Sequence, residues 1–208
     1  MKNNYIITST FNNSGNDENS ATKIYLFNDN TQIINYIKNT NNNKIYYLLP
    51  WYNKKNKKYY IIQFSYKKIM INNLLEDELY SELINEPEDN HFSGFIYNKD
   101  GNDYLCSSSR NGYINIWDLY NKKIINVIDT EGCKLAHIIE WNQKYILVAD
   151  YRNKLIKIID FEKNKIITDI KSGHDGDLYC VKKVNHPIYG ESLLSAGKDK
   201  TIKIWIIE

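Results

Sequence analysis

Helix-favouring alanine is nearly missing from this chain, with four in 208 residues, and no long amphipathic window compensates for it. A mainly helical protein is therefore not expected. Cysteine is also sparse. Cys106, Cys133 and Cys180 are an odd number and form no CxxC pair, which argues against both a disulfide framework and a cysteine-rich zinc site. His174, Cys180 and His186 are spaced too widely for a zinc pair, so no metal is expected. A reducing compartment fits this cysteine usage.

A dominant charge sign is lacking too. Lys and Arg total 27 against 25 Asp and Glu, a formal net charge of +2, so the footprint of a dedicated nucleic-acid-binding domain is missing. No stretch approaches the roughly 18 apolar residues of a membrane span. The opening "MKNNYIITSTFNNSGNDENS" has no apolar signal-peptide core. A soluble, cytoplasmic protein without an integral membrane segment is expected. "GESLLSAGKDKT" does not meet the phosphate-loop spacing GxxxxGK[ST] and precedes a strand rather than a helix, so no nucleotide cofactor is expected either.

What the chain does have is isoleucine, tyrosine and asparagine, in short runs such as "YYII", "YINIW" and "LIKII". Such runs read as strands. The asparagine-rich patches "NNSGNDENS" and "NTNNN" lie between them and read as loops.

The strands repeat. "GYINIWDLYNKKIINVI" (112–128), "KLIKIIDFEKNKIITDI" (154–170) and "KTIKIWIIE" (200–208) share one pattern, and "KIYLFNDNTQIINYI" (23–37) and "KIMINNLLEDELYSELI" (68–84) are weaker copies. Aligned, they place Phe27, Asn72, Trp117, Ile159 and Trp205 at one position, with steps of 45, 45, 42 and 46 residues. Each period holds four strand-like runs, the pattern of propeller blades whose small sheets bury both faces against their neighbours. A two-sheet sandwich would not require such even spacing.

The last copy reads "GH" at Gly173 and His174, then "SAGKDKTIKIW" from Ser195 to Trp205; "SSSRNGYINIWD" (107–118) is the next best. On these motifs the chain resembles the WD-repeat (G-beta-like) β-propeller family. The resemblance is strong over 103–208 and degenerate before that. It implies an all-β fold, a single domain over 1–208 with repeats at about 1–37, 44–84, 91–128, 133–170 and 177–208. The expected blades are four-stranded and antiparallel, with the first and last incomplete, 18 strands in all. A fragment, an open arc and a small ring all fit that count.

The resemblance also implies roles. In such repeats a His, a Ser or Thr, an Asp and a Trp form a hydrogen-bonded brace, which maps to His174, Ser195, Asp199 and Trp205. The third repeat keeps Ser107 and Trp117 but has Asn111 for the Asp, and the fourth has Ala149, Asn153 and Ile159. A buried indole N–H and imidazole need acceptors, whereas a nucleophilic triad needs an exposed serine and an oxyanion hole. No catalytic residue is therefore expected, and the chain reads as no enzyme.

Family members commonly bind partners on the face carrying the turns between second and third strands. Here that suggests Ser65, Arg110, Arg152 and Lys198, with His91, Cys133 and Asp177 at the starts of first strands. The expected function is a non-catalytic scaffold for other proteins, with self-association through the incomplete terminal blades as a further expectation. The alternative is a phosphoinositide or anionic-surface reader using Lys54, Lys55, Lys57 and Lys58, where lysines and aromatics interleave.

Overall fold

The structure is a computed structural model that describes residues 4–10, 21–27, 32–38, 45–74, 79–84 and 90–206; before residue 45 the description is of the backbone. The asparagine-rich patches lie outside the described residues, as does most of the acidic stretch after Leu74.

Among the described residues all regular structure is β, in 18 antiparallel strands. The first sheet comprises β1 (Asn4–Thr10), β2 (Ala21–Phe27) and β3 (Gln32–Lys38). The second holds β4 (Ile45–Asn53), β5 (Lys58–Ser65), β6 (Lys68–Asn73) and β7 (Leu79–Ile84). The third holds β8 (His91–Lys99), β9 (Asn102–Ser109), β10 (Tyr113–Asp118) and β11 (Lys123–Asp129). The fourth holds β12 (Leu135–Glu140), β13 (Tyr145–Asp150), β14 (Leu155–Asp160) and β15 (Lys165–Lys171). The fifth holds β16 (Leu178–His186), β17 (Gly190–Gly197) and β18 (Ile202–Ile206). In every sheet spatial order follows chain order, so each is a plain meander of hairpins. These are β-propeller blades, three to four strands each, as the repeat predicts.

The contacts divide the chain into two units, residues 1–91 and 92–208, between the second and third repeats. Within the first, Ile61 and Leu74 are buried together with Leu48 against them. Within the second, the third, fourth and fifth sheets stack in succession. Cys106, Ile114, Ile116 and Ile128 of the third pack on Leu135, Ile138, Ile146 and Val148 of the fourth. On the next boundary Leu147, Ala149 and Ile156 meet Leu178, Val181 and Leu193. The fourth sheet thus buries both faces, which explains why "YILVAD" and "LIKIID" read as continuous apolar runs rather than alternating ones.

A bulge fixes the repeat more sharply than alignment does. The pairing of third and fourth strands shifts register between Ile71 and Asn72, between Ile116 and Trp117, and between Ile158 and Ile159. In the first sheet the shift falls between Ile24 and Tyr25. Tyr25, not Phe27, therefore holds the position equivalent to Trp117. Sequence alignment slipped here by two because "KIYLF" offers apolar residues in either frame, whereas the bulge allows one.

Once the register is set, the outer strands show a pattern of their own: Ile33-Ile34-Asn35-Tyr36-Ile37, Leu79-Tyr80-Ser81-Glu82-Leu83, Ile124-Ile125-Asn126-Val127-Ile128 and Ile166-Ile167-Thr168-Asp169-Ile170. The first apolar residue of each sits opposite the bulge position.

Candidate functional site

The last repeat builds the most connected polar cluster. His174 Nδ1 lies 2.9 and 3.0 Å from the two oxygens of Asp199, and its Nε2 is 2.9 Å from Ser195 Oγ. Trp205 Nε1 donates to the same Ser195 oxygen at 2.9 Å. The aspartate can only accept, so the Nδ1 side carries the imidazole proton. Ser195 then donates to Nε2 while accepting from Trp205. Each of the four side chains reaches its neighbour, and His174 and Ser195 are buried.

Asp199 has more partners than its role toward His174 requires. It accepts from the backbone N–H of Asp175 at 3.0 Å, and from the N–H and hydroxyl of Thr201 at 3.1 and 2.9 Å. Burial pushes its carboxyl up, but the hydrogen bonds from Thr201, His174 and Asp175 outweigh that and hold it well below its ordinary value of 3.8. Thr201 was missed by sequence reasoning; its signal was its place two residues after the aspartate, where a hydroxyl closes an Asx-type turn.

Asp, His and Ser stand in the order of a nucleophilic relay. Ser195 is 1% exposed, however, and its oxygen is already occupied by the indole N–H. What the arrangement does physically is tie β17 and β18 to the segment that leads into β16.

The third repeat keeps a reduced form, Trp117 Nε1 donating to Ser107 Oγ at 2.9 Å. In the fourth, Ala149 and Ile159 are fully buried, so the polar set was exchanged for an apolar one that leaves nothing unpaired. Asn153 instead donates to Asp150 at 2.8 Å.

The turns between second and third strands expose Arg110, Arg152 and Lys198. Backbone bonds fasten each turn, two within their own sheets and the middle one to the start of the fifth sheet. Thr130 donates its N–H to Gly112 O at 2.9 Å, Leu178 donates to Tyr151 O at 3.0 Å, and Lys198 donates to Asp177 O at 2.8 Å. Arg152 Nε donates to Tyr151 OH at 2.9 Å, and Lys198 Nζ is 3.7 Å from half-buried Asp177.

Three expected contact residues need correction: Ser65 is 0% exposed, its hydroxyl donating to the Lys68 carbonyl at 2.8 Å. His91 is 0% exposed and Cys133 4%, so neither presents a surface to a partner. His91 opens β8, and Cys133 lies between β11 and β12, where its thiol donates to the Thr130 carbonyl at 2.7 Å.

Lys54, Lys55, Lys57 and Lys58 are exposed at the tip joining β4 and β5. Asn53 Oδ1 shapes that tip by accepting from Lys55 and Asn56 N–H groups at 3.0 and 3.3 Å. This is ordinary turn chemistry. Among the described residues no group of three or more His, Cys, Asp or Glu could hold a metal ion. No described helix is long and apolar enough to cross a membrane.

Comparison with known proteins adds three findings. The model of the family "WD domain, G-beta repeat" matches residues 165–205, the stretch that contains the brace. A 54-residue segment is 41% identical to protein transport protein SEC13 of Chaetomium globosum, covering 26% of this chain and 18% of that protein. Among solved structures, the computationally designed Ika8 protein superposes over 100% of this chain and 57% of its own, with TM-score 0.66 and 15% identity. A chain in the crystal structure of the Chaetomium thermophilum polycomb repressive complex 2 matches over 80% of this chain and 37% of its own, with TM-score 0.65 and 17% identity. The chain thus spans less than two thirds of each of these relatives.

Proposed function

We propose that this chain, whose residues 165–205 match the WD-repeat model, is a non-catalytic scaffold on which other proteins assemble. The observation that carries this reading is the row of Arg110, Arg152 and Lys198, exposed on successive turns that backbone hydrogen bonds hold in place. Arginines fixed on a rigid surface lose little conformational entropy on binding and are frequent hot spots. The SEC13 relative, by name a protein transport protein, fits a role in assemblies, though the matched share of it is small. Work inside the cell, in the cytoplasm, belongs to the same reading.

The test compares the proteins crosslinked to tagged chain in cells with those crosslinked to an Arg110→Glu/Arg152→Glu variant. Loss of specific partners at unchanged melting temperature is expected. An identical partner set would remove this face from the proposal.

A further inference from the structure

Away from the arginine-bearing turns, the third and fourth sheets end in the β8–β9, β12–β13 and β14–β15 connections. Two cavities open there side by side. One of about 460 Å³ is lined among others by Phe95, Tyr97, Lys99, Glu140, Phe161 and Glu162. Its neighbour, of about 450 Å³, shares Tyr97, Lys99, Phe161 and Glu162 and adds Asp100. The two rings common to both stand edge to face, Tyr97 and Phe161 having centroids 4.8 Å apart at 89°. Tyr97 also stacks on Tyr104 at 5.3 Å. These rings and Phe95 pack from behind on the core cluster of Cys106 and Ile146, so the aromatic wall is in place before any ligand arrives. Burial, reinforced by Cys106 and Tyr104, pushes the Tyr97 phenol far above its ordinary value, and the ring stays neutral.

Acid gathers at the mouth. Glu140, Glu162 and Asp100 are exposed, and Lys99 is the one basic residue in the two linings. Among the described residues none of these four side chains forms an ion pair. Lys144, whose charge reaches Glu162, has its Nζ 5.0 Å from the centre of its neighbour Tyr145.

The next boundary shows what such a mouth takes. There Lys183 of β16 places its Nζ 4.9 Å from the centre of the Trp141 ring, donates to the Trp141 carbonyl at 3.0 Å and pairs with Glu191. Ring, carboxylate and cation all come from this chain. Between the third and fourth sheets the rings and carboxylates stand ready, and among the described residues no cation lies over those rings.

We propose that this end of the third and fourth sheets binds an arginine from a basic segment of a partner protein. The guanidinium plane lies against the aromatic wall while its N–H groups face Glu140 and Glu162, a combination that the compact ammonium of lysine meets less well. Asp100 and the second cavity hold a further basic residue, which a segment supplies and a single small cation does not. The inference rests on the scaffold reading and gives it a second surface, at the opposite end of the sheets from Arg110 and Arg152.

The probe is the peptide Gly-Ser-Arg-Gly-Arg-Ser-Gly, titrated into the isotope-labelled full chain with amide chemical shifts as readout. Saturable shifts are expected along β8 and at residues 140–146 and 160–162. The peptide with citrulline, equal in shape but uncharged, should bind at least tenfold more weakly, and the peptide with lysine should fall between. Glu140→Gln/Glu162→Gln, at exposed positions and at unchanged melting temperature, should bring the arginine peptide down to the citrulline level. Should that variant melt earlier, the peptide series against the wild-type chain decides. No saturable shift, shifts confined to other residues, or arginine bound no better than citrulline or lysine would overturn the proposal. So would free arginine binding as tightly as the peptide, since the occupant would then be a small cation. Arg110→Glu/Arg152→Glu leaves this end untouched, so either reading can fail alone.

Discussion

Trp117 and Trp205 each donate an indole N–H to a serine hydroxyl at 2.9 Å, Ser107 and Ser195 respectively, yet only the second serine also bonds an imidazole. Ser107 has one buried donor to satisfy, whereas Ser195 serves two ring nitrogens. The same substitution should therefore cost more in the fifth sheet. Ser195→Ala is expected to destabilise by about 2 to 3 kcal/mol and Ser107→Ala by about 1 to 2 kcal/mol. Chemical denaturation of both variants measures this, and equal losses would show that His174 draws nothing from its serine.

Gly112 has φ of +89°, and a Cβ there would lie 2.6 Å from the Cys133 carbonyl oxygen. Neither the conformation nor the backbone contact can yield easily. Gly112→Ala should cost about 2 kcal/mol or more, seen as a lower melting temperature. Gly132→Ala, with φ of +75° but nothing within 4 Å, should cost less. Similar losses would assign the whole effect to φ.

Lys157 is 6% exposed, and its Nζ is paired with Asp169. Asp169→Asn leaves the buried ammonium with Asp150 as its remaining nearby carboxylate, whereas Lys157→Met with Asp169→Asn removes both charges of the pair. The single variant is expected to lose about 2 to 3 kcal/mol and the double variant to recover much of it. A double variant no more stable than the single one would contradict this account of the pair.

Acid should act in two stages. Burial pushes His137 down from 6.5 to about 4, against the opposing effect of its hydrogen bond with the Val181 backbone. The unfolded chain takes up that proton first, so the contribution is complete above about pH 6.5 and declines by up to about 3 kcal/mol as pH falls to 4. The depressed carboxyl of Asp199 behaves alike at lower pH: its contribution is present above its ordinary value of 3.8 and is lost as pH falls further. Urea midpoints measured from pH 7.5 to 3 should show both stages, with His137→Leu removing much of the first. An unchanged upper stage in that variant would assign it to another histidine.

Strand number, sheet membership and brace partners were legible because each leaves a local trace: apolar runs between polar turns, and a histidine, serine, aspartate and tryptophan at fixed offsets. Three features had no such trace. The bulge that selects Tyr25 over Phe27 is a backbone event, and both residues suit a strand. The burial of His91, the first residue of β8, is disguised by its polar identity. The outer-strand pattern emerges once register shows which residues face one another.

The apolar packing that joins the third sheet to the fourth and the fourth to the fifth, with the backbone bond from Leu178 to Tyr151, also determines how damage spreads. Over residues 92–208 each sheet leans on its immediate neighbours. A lesion in one should therefore fade with distance along the stack, like a fault in a row of coupled springs. Hydrogen exchange in such a molecule would report positions in a line more than depths in a core. Packed on both faces, the fourth sheet would open last of the three.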